Sequence, residues 1–394
     1  MRCNTFCEGV VATASREVQH LLASGEYRAV VWWLPLGVIA FFALFFSQEI
    51  VGALPLAVVD EDNSHLSRKL VSMIRATPQT ALVEEVPDMA AARAMVLEGD
   101  VVGVVEIAEG FSKDILSGES AEVVFYDSGA NISTNSLSSK GVQTAVTTFG
   151  VGVALQRAEI EGVMPEQAMA QVMPIAFTTY GLFNPWLNYA YYVAPCFWVM
   201  ILLIASVLST IYAVGTELRY STSIEWLRTA NGSLVGALMG KLAPTTLALW
   251  LLSLVVGALI FAIFGAPMRG SWAVLVLGAM ALIVAYQAVA LAVVAITASM
   301  RLALSLGGGY SVLAFTFSGV TFPTMAMFSV VQPFTMLFPY TYFMRLYIDQ
   351  AVRGVEWWRS MEDLAAMLLF CLLPLLLFGR MKKVLTKRKF WGRL

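Results

Sequence analysis

Charge is scarce in this 394-residue sequence. Asp, Glu, Lys and Arg together supply 13% of it, about half the ~25% of an ordinary soluble domain. Histidine occurs only as His20 and His65, and cysteine only at positions 3, 7, 196 and 371. A hydrophobic run separates the two histidines, so they cannot meet at one metal. No cysteine falls within residues 51–188, which excludes a disulfide inside that stretch. Cys3 and Cys7 have no partner pair at metal-ligand spacing. What is abundant is apolar: 58% of residues are hydrophobic and the mean hydropathy is +0.73. Such a chain cannot cover its surface with polar groups in water, and the composition predicts a polytopic α-helical membrane protein.

The near-absence of ionisable groups in the apolar runs excludes several energy sources. Ion-coupled carriers hold or relay the ion on charged side chains at membrane depth. From Leu242 to Met344 the only charged residues are Arg269 and Arg301, both at helix ends. A proton- or sodium-driven mechanism is therefore disfavoured, and no span is Arg-rich enough for a voltage sensor. The nearest phosphate-loop candidate, GALMGKL at Gly236–Leu242, has three residues between its glycines instead of four. It also puts Leu after Lys241, where a hydroxyl would be needed for magnesium. Protease and metalloenzyme motifs are absent and other catalytic constellations are weak, so an integral membrane enzyme ranks last among the readings and no catalytic residue or metal ligand is assigned.

Six runs approach the roughly 20 apolar residues that a spanning helix needs: Ala29–Phe46, Val193–Val214, Leu242–Phe264, Ala273–Ala298, Leu302–Val320 and the shorter Leu364–Phe378. Trp32, Trp33, Tyr189, Tyr191, Tyr192, Trp357 and Trp358 flank them, as interfacial aromatics do. The first run lies behind 28 residues and no small-x-small site follows it, so it does not read as a cleaved signal. Basic residues set the orientation. Arg2, Arg16 and Arg28, then Arg219, Arg228 and Lys241, then Arg301, then the cluster from Arg380 to Arg393 fall on one side if there are six crossings. Both termini are then cytoplasmic. Residues 51–188 lie outside, with 17 acidic and 7 basic residues and a net charge of −10.

The expected domains follow. Residues 1–28 hold a cytoplasmic amphipathic connecting helix, with Phe6, Val10, Ala14, Val18, Leu21 and Leu22 at helical spacing. An ordinary soluble helix is the plainer reading. Residues 29–50 are the first span. Residues 51–188 form an inserted extracytoplasmic α/β domain, with strands in PLAVVD, ALVEEV, VVGVVEI and AEVVFYDS. Helices are expected in SHLSRKLVSMIRA, DMAAARAMVLEG, FSKDILSG and 132–163. Residues 189–380 carry spans two to six, with a loop at 215–241 and, at 321–348, a Pro-broken apolar stretch. That stretch reads as an outer re-entrant hairpin; a seventh crossing would put the basic cluster of 381–394 outside. The run DEDNSH, Asp60–His65, reads as a strand-to-helix corner in which Asn63 or Ser64 caps the helix. A calcium loop would spread its ligands over about 12 residues around a glycine.

The order of these parts resembles the permease subunit of the ABC type-2 exporter family, in the branch with a large external insert. The resembling patches are PLAVVDEDNSHLSRKL, GVVEIAEGFSKDILSGESAEVVFYDS, NPWLNYAYYVAP, FGAPMRGS, SGVTFP and FPYTYFMR, which cover nearly the whole chain. Glu217–Leu227 resembles the cytoplasmic segment that the family writes E-R-G-T-x-E-Q-L. Glu217, Thr222, Glu225 and Leu227 match it, whereas Ser221 replaces the Gly and Trp226 the Gln. The resemblance implies a coupling helix at Leu218–Thr229 that docks into a separate cytoplasmic ATPase. Glu217, Arg219, Glu225 and Arg228 would offer salt bridges, Trp226 and Leu227 an apolar anchor, and Thr222 the matching hydroxyl. It also implies an outer gate at Phe322, Pro323, Pro333, Pro339 and Tyr340, and a dimer with spans one, two and five at its interface. ATP and magnesium would be bound by the partner ATPase and no cofactor by this chain. Further implied partners are a second permease, membrane lipid and a periplasmic adaptor; no nucleic acid is expected. The setting is a bacterial inner membrane. An apolar path suits an amphiphilic, drug-like or lipid-like substrate. The alternative from another class is a non-transporting scaffold or assembly factor whose external domain binds a partner.

Overall fold

The computed structural model describes residues 2–45, 52–80, 83–164, 189–320 and 322–392, with positions 167, 169, 182 and 183. Phe46 and almost all of the stretch 171–185 expected to lead back to the membrane lie outside the described residues. The chain divides into two compact units, Met1–Glu49 with Asn188–Leu394, and Ile50–Leu187.

The first unit opens with α1, Arg2–Ala23, and α2, Gly25–Phe45. Ser24 stands between them in extended backbone, and its hydroxyl accepts from the Tyr27 N–H, which caps the second helix. The apolar side of α1 is not the one its large aliphatics suggest. Gly9, Thr13, Glu17 and Leu21 are buried, whereas Val11, Val18 and Leu22 are exposed. The expected face is thus rotated, and an acidic residue sits at the centre of the packed one.

The second unit alternates strand and helix: β1 Leu56–Asp60, α3 His65–Ala76, β2 Val83–Glu85, α4 Met89–Glu98, β3 Gly103–Ile107, α5 Phe111–Ser117, β4 Val123–Asp127 and α6 Ile132–Ile160. The sheet runs β2-β1-β3-β4, parallel except for β4. Helices on both faces explain why β1 is apolar at every core position. Leu56 and Val58 face α3 and α6 with Leu70, Ile74 and Phe149, and Ala57 and Val59 face α4 with Ala92.

The acidic corner after β1 is closed by its own hydrogen bonds. Ser64 caps α3, accepting from the Ser67 N–H while the Ser67 hydroxyl takes the Ser64 N–H. Asp60 accepts from the Ser67 hydroxyl at 2.7 Å and from the Asn63 N–H at 3.0 Å. Asp62 reaches across to α5 and accepts the Gly110 and Ser112 N–H groups at 3.1 and 3.2 Å. Burial alone would push the Asp62 carboxyl up. The hydrogen bonds from Ser64, Ser112 and Gly110 outweigh it and hold the group below the ordinary carboxylate range.

The first unit resumes with α7 Tyr189–Arg219, α8 Ser223–Thr229, α9 Leu234–Ile263, α10 Trp272–Thr297, α11 Met300–Thr316 and α12 Pro339–Tyr347. Among the described residues four helices are long and apolar enough to cross a membrane: Gly25–Phe45, Tyr191–Arg219, Leu234–Ile263 and Trp272–Thr297. A fifth arises if Trp357–Leu376 and Phe378–Thr386, bent by 48°, form one span. The run expected as span five is α11, whose 17 residues reach about 25 Å at 1.5 Å per residue. That is the lower end of the roughly 17–25 residues that cross a membrane. The unit's core lies around α7 and α10, and the many alanines of α10 let neighbours approach closely.

Two further segments complete the unit. After α11 the chain runs through short 3-10 turns at Thr324–Ala326 and Gln332–Leu337 before Pro339 opens α12. Pro339 and Tyr340 are buried there, whereas Phe322, Pro323 and Pro333 are exposed. Tyr340 is fixed from both ends, its N–H donating to the Tyr286 hydroxyl and its own hydroxyl to the Cys196 carbonyl. The basic C-terminal stretch packs against the bundle. Phe378–Thr386 is helical with Met381, Val384 and Leu385 buried. Arg380 donates to the Ala295 and Ile296 carbonyls at 2.7 and 2.6 Å, satisfying the open C-terminal end of α10.

Candidate functional site

The last turn of α7 and the segment between α7 and α9 carry the seven residues that the resemblance assigns to ATPase coupling. The chain leaves α7 after Arg219 and turns at Ser221, which adopts the left-handed φ of 61°. Glycine is the residue that adopts such a φ at no steric cost. Thr222 then donates its hydroxyl to Glu217 Oε2 and accepts the Trp226 N–H, so the short α8 is tied back onto the end of α7. The Ser223 hydroxyl adds a bond to the Glu217 carbonyl at 3.0 Å. Asn231 and Gly232, again at positive φ, turn the chain into α9.

Burial sorts the seven residues into two groups. Arg219, Glu225 and Arg228 are exposed, and Thr222 and Leu227 are half-buried. Glu217 and Trp226 are buried, Trp226 completely. An exposed salt bridge from Glu217 and an apolar anchor from Trp226 are therefore misplaced expectations. Both side chains point under α8, where partners in this same chain occupy them.

Those partners are Lys241, Glu17 and Arg16. Lys241 Nζ lies 2.6 Å from Glu17 Oε2 and 2.8 Å from Glu217 Oε1, with all three side chains at most 7% exposed. Arg16 Nη2 approaches Glu217 Oε2 at 3.3 Å. The Trp226 ring centroid stands 5.0 Å from Lys241 Nζ, a cation–π contact. Two acids and two bases leave the cluster formally neutral, the condition under which charges survive burial. Arg16 and Glu17 belong to α1, Glu217 to the end of α7 and Lys241 to α9.

Two glycines make this junction possible. A Cβ on Gly240 would stand 2.5 Å from the Val10 carbonyl oxygen, and one on Gly9 about 3.0 Å from the Ala230 backbone. The backbones of α1 and α9 therefore touch beside the charge cluster. Asn231 completes the clasp by donating to the Thr5 carbonyl at 2.7 Å.

Sequence reasoning missed Arg16, Glu17 and Lys241 as one site. Lys241 reads as a loop charge, yet it is the eighth residue of α9. For the same reason GALMGKL forms no phosphate loop: its backbone N–H groups are spent within a helix. The available signal is the spacing of Gly9, Thr13 and Glu17, which repeat every four residues along one side of α1. Among the described residues no group of three or more His, Cys, Asp or Glu could hold a metal ion.

A family model described as ABC-2 family transporter protein matches residues 27–380. No curated protein matches the chain.

Proposed function

We propose, for a chain that belongs to the ABC-2 transporter family, the role of an exporter permease. As a multi-pass membrane component of an ABC transporter it works with an ATP-binding-cassette ATPase. In our reading that ATPase is a separate cytoplasmic subunit that docks on the exposed side of α8, with Arg219, Glu225 and Arg228 as its polar contacts. Two permease copies, or this chain and a related one, enclose an apolar path for an amphiphilic substrate. Six crossings are reached with α11 and the bent helix of Trp357–Thr386. Both termini are then cytoplasmic and the acidic Ile50–Leu187 unit lies on the outer side, where it can meet an adaptor.

The observation that supports this reading most is the buried charge cluster directly beneath α8. A force on α8 acts on Glu217 and Trp226. Moving Glu217 away from Lys241 would leave buried charges uncompensated, at a cost of about 3–5 kcal/mol. It is cheaper for α8, α1, the end of α7 and α9 to move together. The cluster thus converts a push on a seven-residue helix into displacement of three long ones.

The test is co-purification of the full chain with candidate ATPases, followed by ATP hydrolysis with and without the permease. The expected result is a stable complex in which Glu225→Ala and Arg228→Ala weaken stimulation. Lack of any ATPase partner, with the variants behaving as wild type, would instead favour a non-transporting scaffold.

A further inference from the structure

The C-terminal stretch carries a charged surface that the reading of α8 leaves unused. Phe378–Gly392 holds six basic residues and no acid. It is fixed to the bundle at both ends. Arg380 closes the C-terminal end of α10. The Gly392 N–H donates to the Leu218 carbonyl at 3.1 Å, closing an open carbonyl at the end of α7. Between these points Met381, Val384 and Leu385 share one buried cluster with Trp226 of α8, and the helix Phe378–Thr386 packs against α8. The Trp391 ring N–H donates to the Val384 carbonyl at 3.3 Å, which folds the last turn back onto that helix.

This anchoring decides where the cations stand. Lys387, Arg388 and Lys389 are exposed on the turn between the helix and the Leu218 contact. Arg219, which is also exposed, directly follows the residue that Gly392 closes. Arg228 is exposed on α8, whose one acid is Glu225. Among the described residues none of these five cations has a carboxylate within 4.0 Å. Orientation in a membrane accounts for basic residues on this side, but not for their being held beside α8. A polybasic segment that serves anionic lipid acts through charge near the headgroups and needs no fold of its own. Here the charge is folded against the helix that we read as the ATPase dock. It is almost all of one sign, so the partner it fits is an acidic protein face.

We propose that Lys387, Arg388 and Lys389 form a second docking surface, beside α8, for an acidic face of the ATPase subunit. Exposed charges at the rim of an interface act mainly on encounter. They speed association and make it salt-sensitive, and they contribute little once the complex has formed. α8 then supplies the fitted contact and the C-terminal turn supplies the steering. The inference rests on the reading of α8 as the ATPase dock and adds a partner surface to it.

The test measures association of the full chain, in nanodiscs of phosphatidylcholine, with the ATPase that co-purifies with it. A triple variant, Lys387→Gln with Arg388→Gln and Lys389→Gln, should associate about tenfold more slowly at about 50 mM salt. At about 500 mM salt, where the charges are screened, the difference should fall below about twofold. Its melting temperature should match wild type, because all three positions are exposed. That separates loss of docking from loss of fold. Hydrogen exchange in the peptide covering 384–392 should slow when the ATPase binds, and not when phosphatidylglycerol is added to the disc. A triple variant that associates as wild type does would overturn the surface, while weaker binding by Glu225→Ala and Arg228→Ala would leave the reading of α8 intact. Protection by phosphatidylglycerol and not by the ATPase would assign the surface to the membrane and overturn its partner. If wild type binds no ATPase, both readings fall.

Discussion

Lys241 Nζ sits 2.6 Å from Glu17 Oε2, joining the first helix of the chain to a helix 224 residues later. The same ammonium holds Glu217 at the end of α7. One buried cation therefore fixes the relative positions of α1, α7 and α9.

Replacing that cation is the most disruptive change expected at the site. Lys241→Met leaves Glu17 buried without its counter-ion and Glu217 with Arg16 alone, and about 3–5 kcal/mol of stability should be lost. Combining it with Glu17→Gln should recover part of the loss, because one uncompensated charge is gone. Thermal melts of the purified chain in detergent measure both. A single variant as stable as wild type would show that the cluster carries no net interaction.

The close approach of α1 and α9 makes a paired prediction about glycine. Gly240→Ala places a methyl 2.5 Å from the Val10 carbonyl oxygen, and the overpacking should cost about 1–3 kcal/mol. Gly309 also lies in a helix but has no atom within 4 Å of its added Cβ. Gly309→Ala should gain up to about 1 kcal/mol from helix propensity alone. The two melts should move in opposite directions.

Burial also predicts which residues around α8 separate stability from coupling. Trp226→Ala empties a fully buried site and should cost about 3–5 kcal/mol. Glu225→Ala and Arg228→Ala alter exposed positions and should stay within about 0.5 kcal/mol of wild type. Only the exposed pair should lower partner ATPase stimulation at unchanged melting temperature.

Ser221 carries a backbone conformation that costs a non-glycine residue roughly 1–2 kcal/mol. Its φ is 61°. Ser221→Gly removes that strain but frees the unfolded chain, and a net gain of about 0.5–1 kcal/mol is expected. A lower melting temperature would mean that the serine side chain contributes more than its backbone costs.

Acid should loosen the corner that Asp62 closes. Its carboxyl is held below the ordinary range in the folded state. The stabilisation is therefore present above the unfolded value, ~3.9, and lost as pH falls through the folded one. Hydrogen exchange of the peptide covering 108–114 should show protection of Gly110 and Ser112 that declines below about pH 4. Asp62→Asn should flatten that dependence, leaving weaker protection throughout.

The order of strands and helices in the Ile50–Leu187 unit was readable because local chemistry specifies it, whereas their ends moved, as where 132–163 became Ile132–Ile160. β1 is an apolar run up to Asp60, and Ser64, one of the two expected cap residues, caps the helix after it. Four membrane-length helices were readable for a similar reason: a backbone in lipid must satisfy its own hydrogen bonds, which requires long apolar helices. The helical face of α1 and the place of Lys241 were misread. Hydropathy treats a charged residue as the end of a span and an acidic residue as the outside of a helix.

Composition and the order of apolar runs by themselves determined a polytopic helical membrane protein with an inserted α/β unit. They carry that information because burial of apolar area and backbone hydrogen bonding act locally and additively along the chain. Only the tertiary structure decided that Glu217 and Trp226 face inward and that Arg219, Glu225 and Arg228 face solvent. It alone brought Glu17, Glu217 and Lys241 together. A buried ion pair is stable only when its partner arrives from another helix, and no property of Lys241's sequence neighbours records that arrival.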